Sequence, residues 1–136
     1  TLSPVEGLSM RVYYGLNEAS EVDAENIQNL ATFIGYKGKK FSLGAEYNRI
    51  WNAKYNKGND YDGFSFYGTA KLNDKTDLYL RYDECSNGNE LAIIAGLQCK
   101  LGKYVKISPN FRMSDKDADG ADDLKYMGYV SCYFGF

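Results

Sequence analysis

The last twelve residues, Lys125-Tyr-Met-Gly-Tyr-Val-Ser-Cys-Tyr-Phe-Gly-Phe136, decide how the rest of the chain is interpreted. One alternate set, from Tyr126 to Phe136, carries no charge, while the set from Lys125 to Gly135 is more polar. This period of two is typical of a β-strand, whose successive side chains point to opposite faces. In water, a strand ending on a large ring would expose that ring or bury the carboxylate beside it. A membrane interface accommodates both groups, so the pattern predicts a terminal strand at a membrane surface.

Seven earlier stretches show the same alternation, which predicts strands at 8–16, 29–36, 41–51, 64–72, 77–83, 91–101 and 105–113. Most approach the ~9 to 11 residues that a tilted strand needs to cross a bilayer. Long polar connections alternate with short turns along the whole chain, beginning with the long segment 17–25 and the short turn 37–40. An even number of strands with this alternation predicts an all-β fold, an eight-stranded antiparallel up-and-down transmembrane β-barrel.

The final Phe134-Gly135-Phe136 adds an aromatic-x-aromatic ending to the alternating strand. This ending resembles the C-terminal signal strand of bacterial outer-membrane β-barrel proteins. The resemblance implies a location in the bacterial outer membrane of a Gram-negative cell envelope, and recognition of the last strand by the barrel-insertion machinery. The lipid bilayer and lipopolysaccharide are then the expected partners. We therefore expect residues 1–136 to form a single transmembrane β-barrel domain, either a small eight-stranded barrel or the C-terminal part of a longer porin.

Composition narrows the functional classes. The 136 residues fit one domain, and a formal net charge of -2 argues against nucleic-acid binding. The absence of histidine excludes the usual catalytic triads, and no glycine-rich phosphate loop occurs, so we expect no enzymatic activity. No window of about 18 apolar residues predicts a membrane-spanning helix, and the first residues do not form a signal peptide, which indicates a mature chain or a fragment.

The two faces of the predicted strands differ in residue type. Basic side chains outnumber acidic ones by eight to three on the polar set, which is also rich in glycine, whereas Arg49 is the charged exception on the apolar set and is expected at headgroup level or at a bulge. Small residues beside charges suit a hydrated lumen, so the predicted lumen-lining residues are Arg11, Glu46, Lys71, Arg81, Asp83, Lys100, Lys106 and Arg112. Rings at strand ends predict a membrane girdle of Tyr36, Phe41, Phe111, Phe134 and Phe136.

Three functions are compatible with this pattern. An open lumen with excess basic side chains predicts a porin that lets small solutes, preferentially anions, diffuse passively. Eight strands leave an interior just wide enough for side chains, which favours a plugged barrel with a structural, adhesive or partner-binding role through its external loops. A soluble lipocalin-like carrier of a hydrophobic ligand is the third alternative, because it also has one apolar and one polar face.

The segment from Asp115 to Asp123 contains the one candidate metal site. Asp115, Asp117 and Asp119, followed by Gly120, match the start of a calcium-binding loop, in which hard carboxylates surround the ion. The twelfth position is Tyr126 rather than a bidentate glutamate. Calcium is therefore the only cofactor expected, with a solvated acidic loop as the alternative interpretation.

Two predictions test the strand arrangement itself. Cys99 and Cys132 are expected two strand spacings apart, roughly 9 to 10 Å, beyond the reach of a disulfide, so Cys85, Cys99 and Cys132 are predicted to be free thiols. Closure of a complete barrel would place Val12 and Val130 on adjacent, paired strands. In a fragment of a longer barrel, the first strand would instead have an open edge.

Overall fold

The computed structural model describes residues 2, 5–21, 23–86, 90–116 and 124–135. Its architecture is all-β, with one short 3-10 turn at Ala53–Tyr55 in the connection between the third and fourth strands. Among the described residues, no helix has the length and apolar character to cross a membrane. The eight strands are β1 (Leu8–Asn17), β2 (Ile27–Lys37), β3 (Phe41–Trp51), β4 (Tyr61–Lys71), β5 (Thr76–Cys85), β6 (Glu90–Lys100), β7 (Val105–Lys116) and β8 (Lys125–Phe134).

All eight strands form one sheet, and each pairs antiparallel with its neighbours in sequence, in the order β1 to β8. The eight-stranded, up-and-down antiparallel architecture predicted from the sequence is confirmed. Each of the seven ladders keeps one register along its described length and contains no bulge. The odd-numbered residues of a strand therefore all lie on one face of the sheet, and its even-numbered residues lie on the other. The β6–β7 ladder has no pairs between Gly96–Asn110 and Cys99–Ile107, a gap that includes Pro109, which lacks a backbone N–H.

Several strands extend further towards the long loops than the sequence pattern predicts. In β7, Ser114 pairs with both Ala92 and Lys125, and Asp115 pairs with Leu91, so the strand continues to Lys116 rather than ending at Met113. Neighbouring strands provide partners for these polar residues, and the gain in ladder hydrogen bonds outweighs their weak β-propensity. The sheet therefore extends further at its long-loop end than the alternation of residue types indicates.

The predicted pairing of Val12 with Val130 is not found. In the part of the chain that the structure describes, β1 pairs with β2 and β8 pairs with β7, leaving Val12 and Val130 75% and 69% exposed. Leu2 occupies part of the free edge of β1, where two backbone hydrogen bonds of 2.8 Å join it to Met10. The open edge of β1 corresponds to the alternative considered from the sequence, in which the first and last strands of the sheet do not pair with each other.

Burial is inverted relative to a water-soluble β-protein. The most buried strand residues with polar side chains are Ser108, Asn110 and Ser65, which are 2%, 8% and 9% exposed and share one face. The opposite face carries large apolar side chains that remain open to the surroundings, including Leu43 at 58%, Leu80 at 54% and Phe66 at 53%. On the inner strands, the sheet thus packs its polar face and leaves its apolar face open, whereas both faces of the edge strands β1 and β8 are largely exposed.

Candidate functional site on the polar face

The strand register brings all eight predicted lumen residues to the same face, which we call the polar face. One continuous cross-strand row runs from Arg11 through Phe33, Glu46 and Ser65 to Asp83. A second row brings Tyr67, Arg81, Ile94 and Arg112 together. The predicted residues Lys71, Lys100 and Lys106 share this parity but lie at or next to the strand ends.

Glu46, Asp83 and Arg81 form the centre of the polar face together with Tyr67. The Tyr67 hydroxyl donates to Glu46 Oε1 at 3.0 Å, and Arg81 Nε donates to Asp83 Oδ2 at 2.7 Å. The Arg81 guanidinium also lies 5.7 Å from the centre of the Tyr67 ring. Ser65 Oγ donates to Asp83 Oδ1 at 2.5 Å, so both carboxylates have partners. The side chains of Arg81 and Asp83 are 47% and 30% exposed, which leaves the pair accessible to water or a solute.

Aromatic rings extend this network towards β1. Phe33 stacks on Tyr67 with ring centres 6.4 Å apart and an interplanar angle of 12°. The guanidinium of Arg11 lies 5.8 Å from the centre of the Phe33 ring, within the range of a cation–π interaction. The rings of Phe33 and Tyr67 therefore connect the cations of Arg11 and Arg81 across the face.

A second polar group occupies the β5–β8 side. The hydroxyls of Tyr79 and Ser108 lie 3.0 Å apart, and Arg112 Nε donates to Asn110 Oδ1 at 3.0 Å. The Arg112 guanidinium lies 4.6 Å from the centre of the Tyr129 ring. These contacts explain why Ser108 and Asn110 are buried although they carry polar side chains.

Glycines provide the space that the rings occupy on this face. A Cβ atom on Gly44 would lie 2.5 Å from Tyr67 Cε2, and one on Gly15 would lie 2.7 Å from the Tyr13 hydroxyl oxygen. The ring of Phe33 covers Gly35 in the same way. On the apolar face, by contrast, a Cβ atom on Gly128 would have no neighbour within 4 Å. The polar face is thus crowded wherever an aromatic ring overlies a glycine.

The short-turn end of the sheet is strongly basic, and we call this end the basic rim. It has a net charge of +5, from eight lysines and three carboxylates. All of its lysines are exposed. Five of these lysines lie around the β4–β5 and β6–β7 turns: Lys71, Lys75, Lys100, Lys103 and Lys106. The other three lie in and beside the β2–β3 turn: Lys37, Lys39 and Lys40. The carboxylates are Glu6, Asp74 and Asp77.

Like charges are placed close together on the basic rim. Lys100 pairs directly opposite Lys106 in the β6–β7 ladder, an arrangement that is unfavourable without a nearby anion. Lys71 Nζ lies 2.8 Å from Asp74 Oδ1. The hydrogen bond and charge of Lys71 lower the pKa of Asp74, which lies in the β4–β5 turn, and Lys100 contributes in the same direction. Asp74 therefore stays ionised and offsets part of the basic charge.

The predicted girdle residues do not share one level. Tyr36 and Phe41 flank the β2–β3 turn with ring centres 5.8 Å apart, and Phe134 ends β8 at the same rim. Phe111 departs from its predicted place at a strand end. It lies near the middle of β7, where it stacks on Tyr126 at 5.9 Å, because β7 continues five residues beyond it. Phe136 falls outside the described residues.

Arg49, the charged exception on the apolar face, lies two residues from the end of β3. It pairs with Leu30 and Asp62 in regular ladders, so it marks no bulge, and it lies at the long-loop end of the strand. Its guanidinium lies 5.3 Å from the centre of the Trp51 ring. This position near the rim agrees with the first of the two placements predicted from the sequence.

The predicted calcium ligands are only partly described. Asp115 lies within β7, opposite Leu91, rather than in the following loop. Its Oδ1 atom is buried with no hydrogen-bond partner among the described residues. Asp117 and Asp119 fall in the segment 117–123, which lies outside them. No group of three potential metal ligands occurs within the described ranges, so calcium binding stays a prediction.

The cysteines occupy the positions that the strand order requires. Cys99 and Cys132 both pair with Ile107, one from each side, which separates them by two strand spacings. Cys85 lies at the other end of the sheet, at the end of β5. All three thiols are free.

Sequence reasoning identified the charges of the polar face but not their neighbours. Phe33, Tyr67, Tyr79, Ser108 and Asn110 hold or bury the network without having been proposed as site residues. One signal could have identified the aromatic members: a ring on the polar set that lies two residues from a glycine of the same set, or opposite such a glycine on the next strand. No protein-family model matches this chain, and no curated protein sequence matches it.

Proposed function

We propose that this chain forms the wall of a transmembrane β-barrel of the bacterial outer membrane. The proposal is based on the inverted burial of the two faces. Large side chains such as Leu43, Phe66 and Leu80 are exposed on one face, whereas Ser108 and Asn110 are buried on the other. Exposed apolar surface of this extent is unfavourable in water and favourable in lipid. A soluble lipocalin-like carrier would bury its apolar face instead, so the geometry disfavours that alternative.

The open edges of β1 and β8 are compatible with this proposal only if further pairing occurs in the membrane. Unpaired backbone N–H and C=O groups each cost several kcal/mol in hydrocarbon, so lipid-exposed sheet edges do not occur there. The two edges either meet each other on insertion or pair with additional strands. Recognition of the terminal strand by the insertion machinery, and contact of the outward loops with lipopolysaccharide, belong to the same proposal.

Within this class, passive diffusion of small anionic solutes is the activity that the charges favour. The central polar face carries Arg11, Arg81 and Arg112 against Glu46 and Asp83, and the basic rim adds the opposed pair Lys100 and Lys106. Rings of basic side chains select anions by lowering their electrostatic energy along the path. The chain would therefore act as a porin with anion preference.

A plugged barrel is the second candidate, and the crowding of the polar face favours it. Three aromatic rings occupy the space above glycines on this face: Tyr67 covers Gly44, Phe33 covers Gly35 and Tyr13 covers Gly15. In a closed barrel of eight strands, such rings would leave little room for a solute. The chain would then serve as a membrane anchor whose long loops contact a partner.

Planar-bilayer recording separates the two candidates. Stable current steps with an anion-selective reversal potential in a salt gradient support the porin, and a silent membrane containing correctly inserted protein supports the plugged barrel. The variant K100Q/K106Q should reduce anion selectivity, because it removes the opposed lysines of the basic rim. The matched control K54Q/K57Q removes the same charge from the loop between β3 and β4, at the opposite end, and should leave selectivity nearly unchanged.

A further inference from the structure

A groove of about 720 Å³ crosses the apolar face over β2 to β5. Its floor is made by small residues, among them Ala45, Gly68 and Ala70. Larger side chains surround this floor, and they include Tyr36, Phe41, Leu43, Phe66, Leu78 and Leu80. Cross-strand pairs place Gly68 directly between Leu43 and Leu80, so the depression follows from a small residue flanked by large ones in one row. The volume lies within the usual range of ligand sites, roughly 300 to 1,000 Å³.

The groove lies entirely in the half of the wall next to the basic rim. Every lining residue is within six positions of the β2–β3 or β4–β5 turn, or belongs to the start of β1 beside them. The exposed Lys39 and Lys40 immediately precede Phe41, and the exposed Lys75 lies in the turn that leads to Leu78. An apolar depression therefore adjoins a concentration of positive charge.

The charge at the other end of the same wall is opposite. Among the described residues near the long loops, there are nine carboxylates and five basic side chains. The carboxylates are Glu18, Glu21, Asp23, Glu25, Asp60, Asp62, Glu84, Glu90 and Asp115, and the basic residues are Arg49, Lys54, Lys57, Lys116 and Lys125. An anionic headgroup is attracted to one rim and repelled from the other.

We propose that this groove and the lysines of the two adjoining turns form a binding site for an anionic phospholipid. One acyl chain lies along the small-residue floor, and the phosphate group interacts with Lys39, Lys40 and Lys75. The proposal rests on the proposed membrane location and deepens it, because it assigns a lipid class to one leaflet. Each lysine near an anionic surface strengthens binding by roughly fivefold.

The test measures which lipids remain bound after extraction from a mixed membrane. The chain is reconstituted into nanodiscs of phosphatidylcholine and phosphatidylglycerol, transferred to mild detergent and examined by native mass spectrometry. We expect phosphatidylglycerol to be retained over phosphatidylcholine. The variant K39Q/K40Q should lower this preference by roughly five- to thirtyfold. The control K54Q/K57Q, with the same change of charge at the opposite rim, should alter it less than about twofold.

A second pair of variants tests the groove independently of charge. Ala45→Leu fills the floor, whereas Ala95→Leu adds the same side chain to the apolar face of β6, outside the groove. Ala45→Leu should reduce retention of both lipids, and Ala95→Leu should not. Circular dichroism confirms that each variant retains its β-sheet.

The outcomes separate this inference from the proposed function. Insertion into the mixed nanodiscs with equal retention of phosphatidylglycerol and phosphatidylcholine would overturn the lipid site and leave the membrane proposal intact. Equal effects of K39Q/K40Q and K54Q/K57Q would also overturn it. Failure of the wild-type chain to insert into any nanodisc would overturn both proposals.

Discussion

Replacement of Gly96 by alanine should destabilise the sheet because three groups enclose the position where a Cβ atom would lie. That atom would be 2.7 Å from Asn110 Cβ, from the carbonyl oxygen of Pro109 and from the Tyr79 hydroxyl oxygen. The Pro109 oxygen belongs to the backbone, and Tyr79 is within 3.0 Å of the Ser108 hydroxyl. Relief of the clash therefore requires movement of β7 against β6 rather than rotation of one flexible side chain.

Overpacking of this kind lowers the free energy of unfolding by roughly 1 to 3 kcal/mol. Gly128→Ala is the matched control, because the same substitution in β8 meets no atom within 4 Å. Its added methyl group restricts the unfolded chain without a clash, which changes stability little or raises it by about 0.4 to 1 kcal/mol. The two variants thus separate crowding on the polar face from the general effect of replacing a strand glycine.

Urea unfolding in detergent micelles, followed by circular dichroism and by Trp51 fluorescence, measures the difference. With a denaturant dependence of roughly 2 kcal/mol per molar urea, Gly96→Ala should lower the unfolding midpoint by about 0.5 to 1.5 M. Gly128→Ala should keep the wild-type midpoint or exceed it slightly. Equal midpoints for Gly96→Ala and the wild type would refute the inference that rings and strand β7 crowd the polar face.

Three further predictions concern charge and covalent chemistry. Asp83→Asn removes an anion from the polar face, so reversal potentials in planar bilayers should shift towards stronger anion selectivity; a shift towards cations would contradict this assignment. Mild oxidation should form no bridge between Cys99 and Cys132, and a faster-migrating band on a non-reducing gel that disappears in a variant lacking Cys132 would show a different strand order. Lys71→Gln should raise the pKa of Asp74 towards its ordinary value, because the ammonium group no longer stabilises the carboxylate. A carboxyl NMR titration detects the change, and an unaltered titration curve would show that the ion pair does not persist in solution.

Residue alternation was sufficient to predict the faces of the strands. Arg11, Glu46 and Asp83 were assigned to one face by parity, and the uninterrupted registers place them in one cross-strand row. Parity works here because the described ladders contain no bulge that would reverse it. Pro109 has a purely local effect, because it lacks a backbone N–H, and it lies in the gap of the β6–β7 ladder.

Features that depend on partners across space were not accessible from the pattern. The extension of β7 through Asp115 depends on the pairing positions offered by β6 and β8, and its residue types give no indication of it. The contact of Tyr67 with Glu46 and Gly44 joins residues on two strands, whose relative register no local propensity determines. The pairing of Leu2 with Met10 at the free edge of β1 likewise joins two segments whose relative position no local pattern determines.

The membrane proposal assigns the apolar face of the sheet to lipid and the polar face to water, and spin labels along β5 can distinguish these two environments. In a background without the three native cysteines, single cysteines at Leu78, Tyr79, Leu80 and Arg81 are labelled and the protein is inserted into vesicles. Labels at Leu78 and Leu80 should collide mainly with oxygen, which concentrates in lipid, and labels at Tyr79 and Arg81 mainly with a water-soluble nickel complex. If labels at Leu78 and Leu80 collided with the nickel complex as often as labels at Tyr79 and Arg81, the assignment of the apolar face to the membrane would be contradicted.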